Sequence, residues 1–292
     1  VDHGPDLSLS ASCERIAAAQ NRDGGWGYRG GASWSEPTAY ALMAIAGENA
    51  ADAERRGRVW LAANQRNDGG FAPRPSVSES TWVTALAVIA GIDRAAERRA
   101  VAWLVGQTGQ ETTLVHRIRQ WMLGNQPLKT EDAVGWPWYP GTAAWVTPTS
   151  LTLLALRKVA RRHPGSAIRE RLDEGRRFLL SRRCEDGGWN HGSSRALGFQ
   201  AVSYPETTGI ALLALHGQPA AVLEKSFARA GEHYARCRSA EGQAWLQLGF
   251  LAHGRSIPDA PPPMPARTLL DSAVSVLAAR ARGGRNVFLE EA

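Results

Sequence analysis

A segment that recurs along the chain constrains it more than any other feature. Its fullest copy runs from Arg56 through Gly57, Trp60, Leu61, Gln65, Asp68, Gly69 and Gly70 to Phe71. The latter half returns at Gln20 to Trp26, and a looser copy ends at Asp186, Gly187, Gly188 and Trp189, with Arg183 in the place of the glutamine. Each copy closes a helix-period stretch with a polar side chain, a tight Asp-Gly-Gly turn and an aromatic residue. A unit of this size, repeated, means a repeat architecture.

A second element follows the turns. Glu36-Pro37-Thr38, Glu79-Ser80-Thr81, Thr147-Pro148-Thr149 and Glu206-Thr207-Thr208 each open a run that is apolar nearly all round. Such runs predict helices buried on every side. Between them, residues 52–65, 94–107, 165–182 and 219–236 alternate apolar and charged faces at helical spacing. All-apolar helices alternating with amphipathic ones describe a ring with an inner and an outer layer. The pattern gives about twelve helices and no strand-period segment of any length.

The pattern of basic-Gly-x-x-aromatic followed by Gln-x-x-x-Gly-aromatic resembles the QW repeat of the terpenoid cyclase and protein prenyltransferase superfamily, which includes squalene-hopene cyclases. It is complete at Arg56 to Phe71 and partial in the other copies. The resemblance implies an all-α fold, an α/α toroid of about six inner and six outer helices. It also implies a central apolar cavity that binds an isoprenoid or another apolar small molecule. The expected organisation is one domain over 1–292, with a repeat-bearing core at about 10–283 and a loose tail at 284–292. The proline run at 261–263 is expected to set the last helix, 266–283, apart from the toroid body.

Within that family, class II cyclases protonate their substrate with an Asp-x-Asp-Asp type of motif. This chain contains no Asp-x-Asp; its counterpart is Tyr204-Pro205-Glu206-Thr207-Thr208, where only one carboxyl remains. The resemblance therefore makes Glu206 the candidate catalytic acid of a non-standard terpenoid cyclase or isomerase. The bland reading is that Glu206, like Glu36, Glu79 and Glu111, is a carboxylate at the positive end of a helix dipole. Carboxylates at matching helix ends would also converge on one rim of the ring.

The eleven tryptophans are the other resource. Trp26, Trp60, Trp103 and Trp189 belong to the repeat and are expected to be structural. Trp34, Trp82, Trp138, Tyr139, Trp145 and Tyr204 fall at or just before inner helices, facing the rim or the lumen. His116, beside Arg117 and Arg119, is a cavity candidate if helix 112–123 is inner and a surface residue if it is outer. The segment 124–146 is long for a connection and is expected to be functional or a lid.

Composition narrows the remaining classes. The net charge of +6 is arginine interleaved with acids, which forms solvated helix faces, so no nucleic-acid partner is expected. No apolar run is long enough to span a bilayer, which leaves room only for peripheral membrane contact. Cys13, Cys184 and Cys237 are far apart and imply no disulfide framework, so a cytoplasmic location is the default. No complete ligand set for a metal is present, and no cofactor is expected. Two rival readings stand beside the cyclase: a non-catalytic lipid-binding or scaffold protein of the same fold, and a carbohydrate-active α/α barrel. In the barrel reading, two carboxylates near aromatic platforms would do acid–base work.

Overall fold

The computed structural model describes residues 7–110, 122, 134–192, 195–196, 199–259 and 264–290. Among them are eleven α-helices: α1 (Leu7–Ala18), α2 (Ser35–Ile45), α3 (Ala51–Ala63), α4 (Val83–Ala90), α5 (Arg94–Gly106), α6 (Val146–Val159), α7 (Ser166–Ser181), α8 (Pro205–Ala214), α9 (Ala220–Arg236), α10 (Ala240–Ala252) and α11 (Leu269–Arg282). Strand structure in the described residues is limited to two hairpins of two-residue strands, Trp26–Gly27 with Ser33–Trp34 and Arg195–Ala196 with Phe199–Gln200. The architecture is the α/α toroid.

The inner ring is α2, α4, α6, α8, α10 and α11, each packed on the next, with α11 returning to α2. Helices α2, α4 and α8 bury nearly every residue, as their unbroken apolar runs require. The outer layer is α1, α3, α5, α7 and α9, each against its inner partner. These helices bury one stripe only; in α9 it is Leu223, Ser226, Phe227, Ala230 and Tyr234. Across the chain's middle, α4 packs on α6 and α5 on α7, so both layers are continuous there. Apart from Met122, the residues of the expected helix 112–123, His116 among them, and Glu111 lie outside the described residues.

The repeat residues build the joints of this ring. Gln20 donates to Gly24 O (2.8 Å) and Ala53 O (2.7 Å), and Gln65 donates to Gly69 O (3.0 Å) and Ala96 O (2.8 Å). Each glutamine thus ties the end of one outer helix to the first turn of the next. Arg183 does the same work in the third copy by donating to Val222 O in the first turn of α9. The first glycine of each turn is left-handed, at φ +95 for Gly24, +92 for Gly69 and +98 for Gly187, which only glycine adopts without strain.

The turn aromatics Trp26, Phe71, Trp136 and Trp189 are wholly buried between the layers. Their backbone N–H groups donate to Thr38 (2.9 Å), Thr84 (2.8 Å), Thr149 (2.9 Å) and Thr208 (3.0 Å) on the inner helices. The indoles reach back to outer helices, Trp26 to Ile16 O, Trp136 to Leu104 O and Trp189 to Leu179 O. The bond from Trp136 assigns the turn at Gly135 to α5. Gly57 and Gly175 sit where a Cβ would lie 2.6 Å and 2.8 Å from the Trp26 and Trp136 rings, which is why the outer helix needs glycine there.

Two expectations about the C-terminal region are corrected. The last helix is not set apart by the prolines: α11 is the sixth inner stave, started by a Thr268–Asp271 capping box and bound to α2 through Arg280, which donates to Met43 O and Glu48. Nor is the tail loose as far as Glu290. Lys158 donates to Val287 O (2.7 Å) and Glu290 O (3.0 Å), and Phe288 is buried against Trp245 with ring centroids 5.6 Å apart. The tail crosses the C-terminal end of α6, on the side of the ring opposite the inner-helix N-termini.

Replacing Thr149 by Val keeps shape but leaves the buried Trp136 N–H unpaired. This should cost about 1–3 kcal/mol of stability, read as a lower urea midpoint at unchanged m. An unchanged midpoint would remove these bonds from the list of interactions that hold the layers together.

Candidate functional site

The threonine bonds fix each inner helix in axial register, so residues at the same offset from them reach the same height. Two positions before Thr38, Thr84, Thr149 and Thr208 stand Glu36, Trp82, Thr147 and Glu206, and all four line one cavity of about 390 Å³. It opens at the N-terminal ends of the inner helices. Glu241, second residue of α10 as Glu36 and Glu206 are of α2 and α8, completes a trio of carboxylates. Tyr40, Ile210 and Trp245 lie deeper, while Trp138, His191 and Tyr204 come from the loops above.

A second lobe of about 500 Å³ shares Glu36, Trp82 and Trp138 with the first, so the two form one open cleft with Glu36 at the junction. Tyr28, Trp34, Arg74 and Tyr139 wall this lobe. Trp82 and Trp138 meet edge to face at 4.8 Å, Tyr28 and Trp34 at 5.6 Å. Loop 28–34 is folded back by the Trp26–Trp34 pairing, which carries these rings to the rim.

The electrostatics single out Glu36. Burial pushes its carboxyl from the usual 4.5 up to about 7, the Glu241 charge adds to the rise, and a hydrogen bond from the Tyr28 hydroxyl partly opposes it. Glu241 is also raised, first by burial and then by the Glu206 charge, against a bond from Trp245 Nε1 (3.3 Å). The Tyr28 and Tyr40 hydroxyls are raised by burial and by the same carboxylates. Glu206 packs against the start of α10, where a Cβ on Gly242 would lie 2.8 Å from its Oε1. Among the described residues, no group of three or more His, Cys, Asp or Glu side chains is arranged to hold a metal ion, and no helix is long and apolar enough to cross a membrane.

The sequence candidates divide accordingly. Glu206, Trp82, Trp138 and Tyr204 line the first lobe, and Trp34, Trp82, Trp138 and Tyr139 the second. Trp145 stands behind His191, centroids 6.5 Å apart, and lines neither lobe. Glu79 does not share the position of Glu36: the hydroxyl that binds Phe71 N–H is Thr84, one turn after Thr81, so Trp82 is the counterpart. Glu79 lies in a shallow surface hollow with Asp68 and Ser80. Two residues were missed. Glu36 passed for a plain helix-end charge, although Tyr28 eight residues earlier could have suggested a buried partner. Glu241 has no threonine two residues on, and its one signal was its place at the head of an apolar run.

No protein-family model matches the sequence, and no curated protein does. Solved structures match over nearly the whole chain, glycoside hydrolases among them. An inactive variant of the family 76 α-1,6-mannanase of a Salegentibacter species, in complex with α-1,6-mannotriose, has TM-score 0.60 and 10% identity over 97% of this chain and 99% of that one. The endo-β-1,4-glucanase of Acetobacter xylinum gives 0.61 and 14% over 94% and 98%. A family 8 endoglucanase of Klebsiella pneumoniae gives 0.57 and 18% over 94% and 99%. At such identities the likeness establishes the toroid fold.

These findings overturn the kinship to terpenoid cyclases and prenyltransferases, and with it the isoprenoid ligand and the isomerase chemistry. The physical reason lies in the repeat. Its glutamine, glycines and aromatic bind backbone carbonyls and neighbouring helices, so they specify the joints of a toroid and nothing about what the toroid holds. The cavity is not a plain apolar chamber either, since three carboxylates and tyrosine hydroxyls face its mouth.

A carboxyl raised on folding binds more protons in the native state than in the unfolded one. Stability should therefore fall as pH rises through the window from about 4.5 to about 7. Glu36→Gln should flatten that fall and be the more stable protein at pH 8, by about 1–3 kcal/mol. Parallel pH–stability curves would show that Glu36 is an ordinary exposed acid.

Proposed function

We propose that the protein is a carbohydrate-active enzyme that hydrolyses glycosidic bonds of an oligosaccharide laid across the rim cleft. The observation that carries this is the pairing of two features at one place. Carboxylates enter from the second positions of three inner helices, and Trp and Tyr faces wall an open groove beside them. Sugar rings stack on aromatic faces, and glycosidic bonds are broken by paired carboxyl groups, one acid and one base. The match to solved glycoside hydrolases over nearly the whole chain supports the reading.

The environments assign roles. Glu36, held protonated up to about pH 7, is the general acid that gives its proton to the glycosidic oxygen as the bond to the anomeric carbon breaks. Glu206 is the partner carboxylate that takes a proton from the water whose oxygen joins that carbon. The net change is the addition of one water across the bond. Glu241 couples the two: its charge helps raise the carboxyl of Glu36, and the charge of Glu206 helps raise its own. Tyr28 orients the acid through its hydrogen bond.

The test is release of reducing ends from α-1,6-mannan and β-1,4-glucan oligosaccharides. Glu36→Gln and Glu206→Gln should each lower kcat by roughly 10²–10⁴-fold, and Glu79→Gln, outside the cleft, should not. With wild-type protein showing neither turnover nor saccharide binding, the enzyme reading would fall.

A further inference from the structure

The charge on the cleft wall is uneven. Facing the first lobe are Glu36, Glu206 and Glu241, whereas the second lobe carries a guanidinium, Arg74. The Arg74 guanidinium lies over the Trp34 ring, its Cζ 4.8 Å from the centroid, and no carboxylate pairs with it among the described residues. Two other stacked arginines differ in this respect: Arg171 over Trp136 is also bound to Glu174, and Arg255 over Phe227 to Glu224. A guanidinium held by stacking keeps its in-plane N–H groups free for a planar bidentate acceptor.

The mounting of Arg74 is rigid. It stands between Pro73 and Pro75, whose rings fix φ. The segment is fastened to the first residue of α2: Ser35 N donates to Pro73 O (2.8 Å) and Ser35 Oγ to Ala72 O (2.6 Å). Val77 N closes the turn onto Arg74 O (3.0 Å). The same helix start carries Glu36 as its next residue, so the guanidinium and the junction carboxyl share one anchor. The backbone that carries the guanidinium is therefore already held in place before a ligand arrives.

We propose that the second lobe is a subsite for an acidic sugar, a uronic acid unit whose carboxylate pairs with Arg74 while its ring lies against the Trp and Tyr wall. This rests on the carbohydrate reading of the cleft and narrows it: the substrate is an acidic glycan rather than a neutral one. A carboxylate is the planar, two-oxygen partner that the stacked guanidinium is shaped for. Among the described residues Glu36, at the edge of the lobe, is the one acid that lines it, and Tyr28 covers that acid with a hydrogen bond.

The experiment is titration calorimetry of the intact protein with trigalacturonate, and with α-1,6-mannotriose and cellotriose as neutral probes. Trigalacturonate should bind about tenfold or more tightly than either neutral trimer at low salt, and the margin should shrink as ionic strength rises. Arg74→Gln should abolish the margin, weakening trigalacturonate far more than either neutral trimer; Arg74→Lys should restore part of it. Arg74 is exposed, so the variants are expected to fold, with the far-ultraviolet spectrum as the check. Equal binding of charged and neutral trimers, or a margin that survives Arg74→Gln, overturns the acidic subsite and leaves the enzyme reading standing. Binding of no trimer of either kind overturns both.

Discussion

The bond from a turn aromatic's N–H to an inner-helix threonine is the interaction on which the rest depends. It joins a buried donor to a buried hydroxyl at 2.8–3.0 Å in four places around the ring. Leaving either group unpaired in the interior would cost about 1–3 kcal/mol, more than the bond's net contribution, so an inner helix cannot slide past its turn. A helix that cannot slide has a fixed end. The residue two before each threonine is then held at the mouth of the ring, where Glu36, Trp82, Thr147 and Glu206 meet in one cavity. The functional rim is a consequence of how the layers are joined.

At that rim two electrostatic effects oppose each other. A carboxylate in the first turn of a helix gains about 0.3–1 kcal/mol from the dipole, which would lower its pKa. The carboxyl of Glu36 instead rises from 4.5 to about 7, roughly 3 kcal/mol in the other direction. Burial and the neighbouring Glu241 outweigh the dipole even after allowance for the solvent that reaches this half-buried group. A helix end that would ordinarily hold a spectator anion thereby holds a proton near neutrality. That proton is what the proposed hydrolysis draws on.

What the sequence disclosed follows from the range of the interactions involved. Alternation of apolar and amphipathic helices and the Gln-Gly-Gly-aromatic joints rest on neighbours within a few turns, and both were legible. The register of the second repeat was not. The aromatic-to-threonine spacing is 12 residues in the first repeat, 13 in the second and third, and 19 in the fourth. With such variation, Thr81 and Thr84 are equally plausible partners for Phe71. The buried Thr81 hydroxyl has no partner while Thr84 makes the bond, and that choice moves Glu79 out of the cleft and Trp82 into it. Ring closure was likewise invisible. Whether α11 is an appendage or the sixth stave depends on α2, more than two hundred residues earlier. Its partners Met43 and Glu48 carry no local sign of it.

The misassigned kinship has the same origin. Every recurring position of the repeat serves a joint: the glutamine, or Arg183 in the third copy, bridges outer helices, the glycines admit a ring or turn the chain, and the aromatic fills the space between layers. None of them faces the cleft. In the proposed enzyme, chemistry is instead set by one rim position per inner helix and by the loops that overhang it. Those positions hold two acids, an aromatic and a hydroxyl in four equivalent places, with a further acid on α10. A joint has to be the same each time if the ring is to close, whereas a rim residue touches only the cavity and can differ from repeat to repeat. The most repetitive part of such a chain is thus its least informative part about function, and the unrepeated residues Tyr28, Arg74, Trp138 and Glu241 are where a substrate would be distinguished.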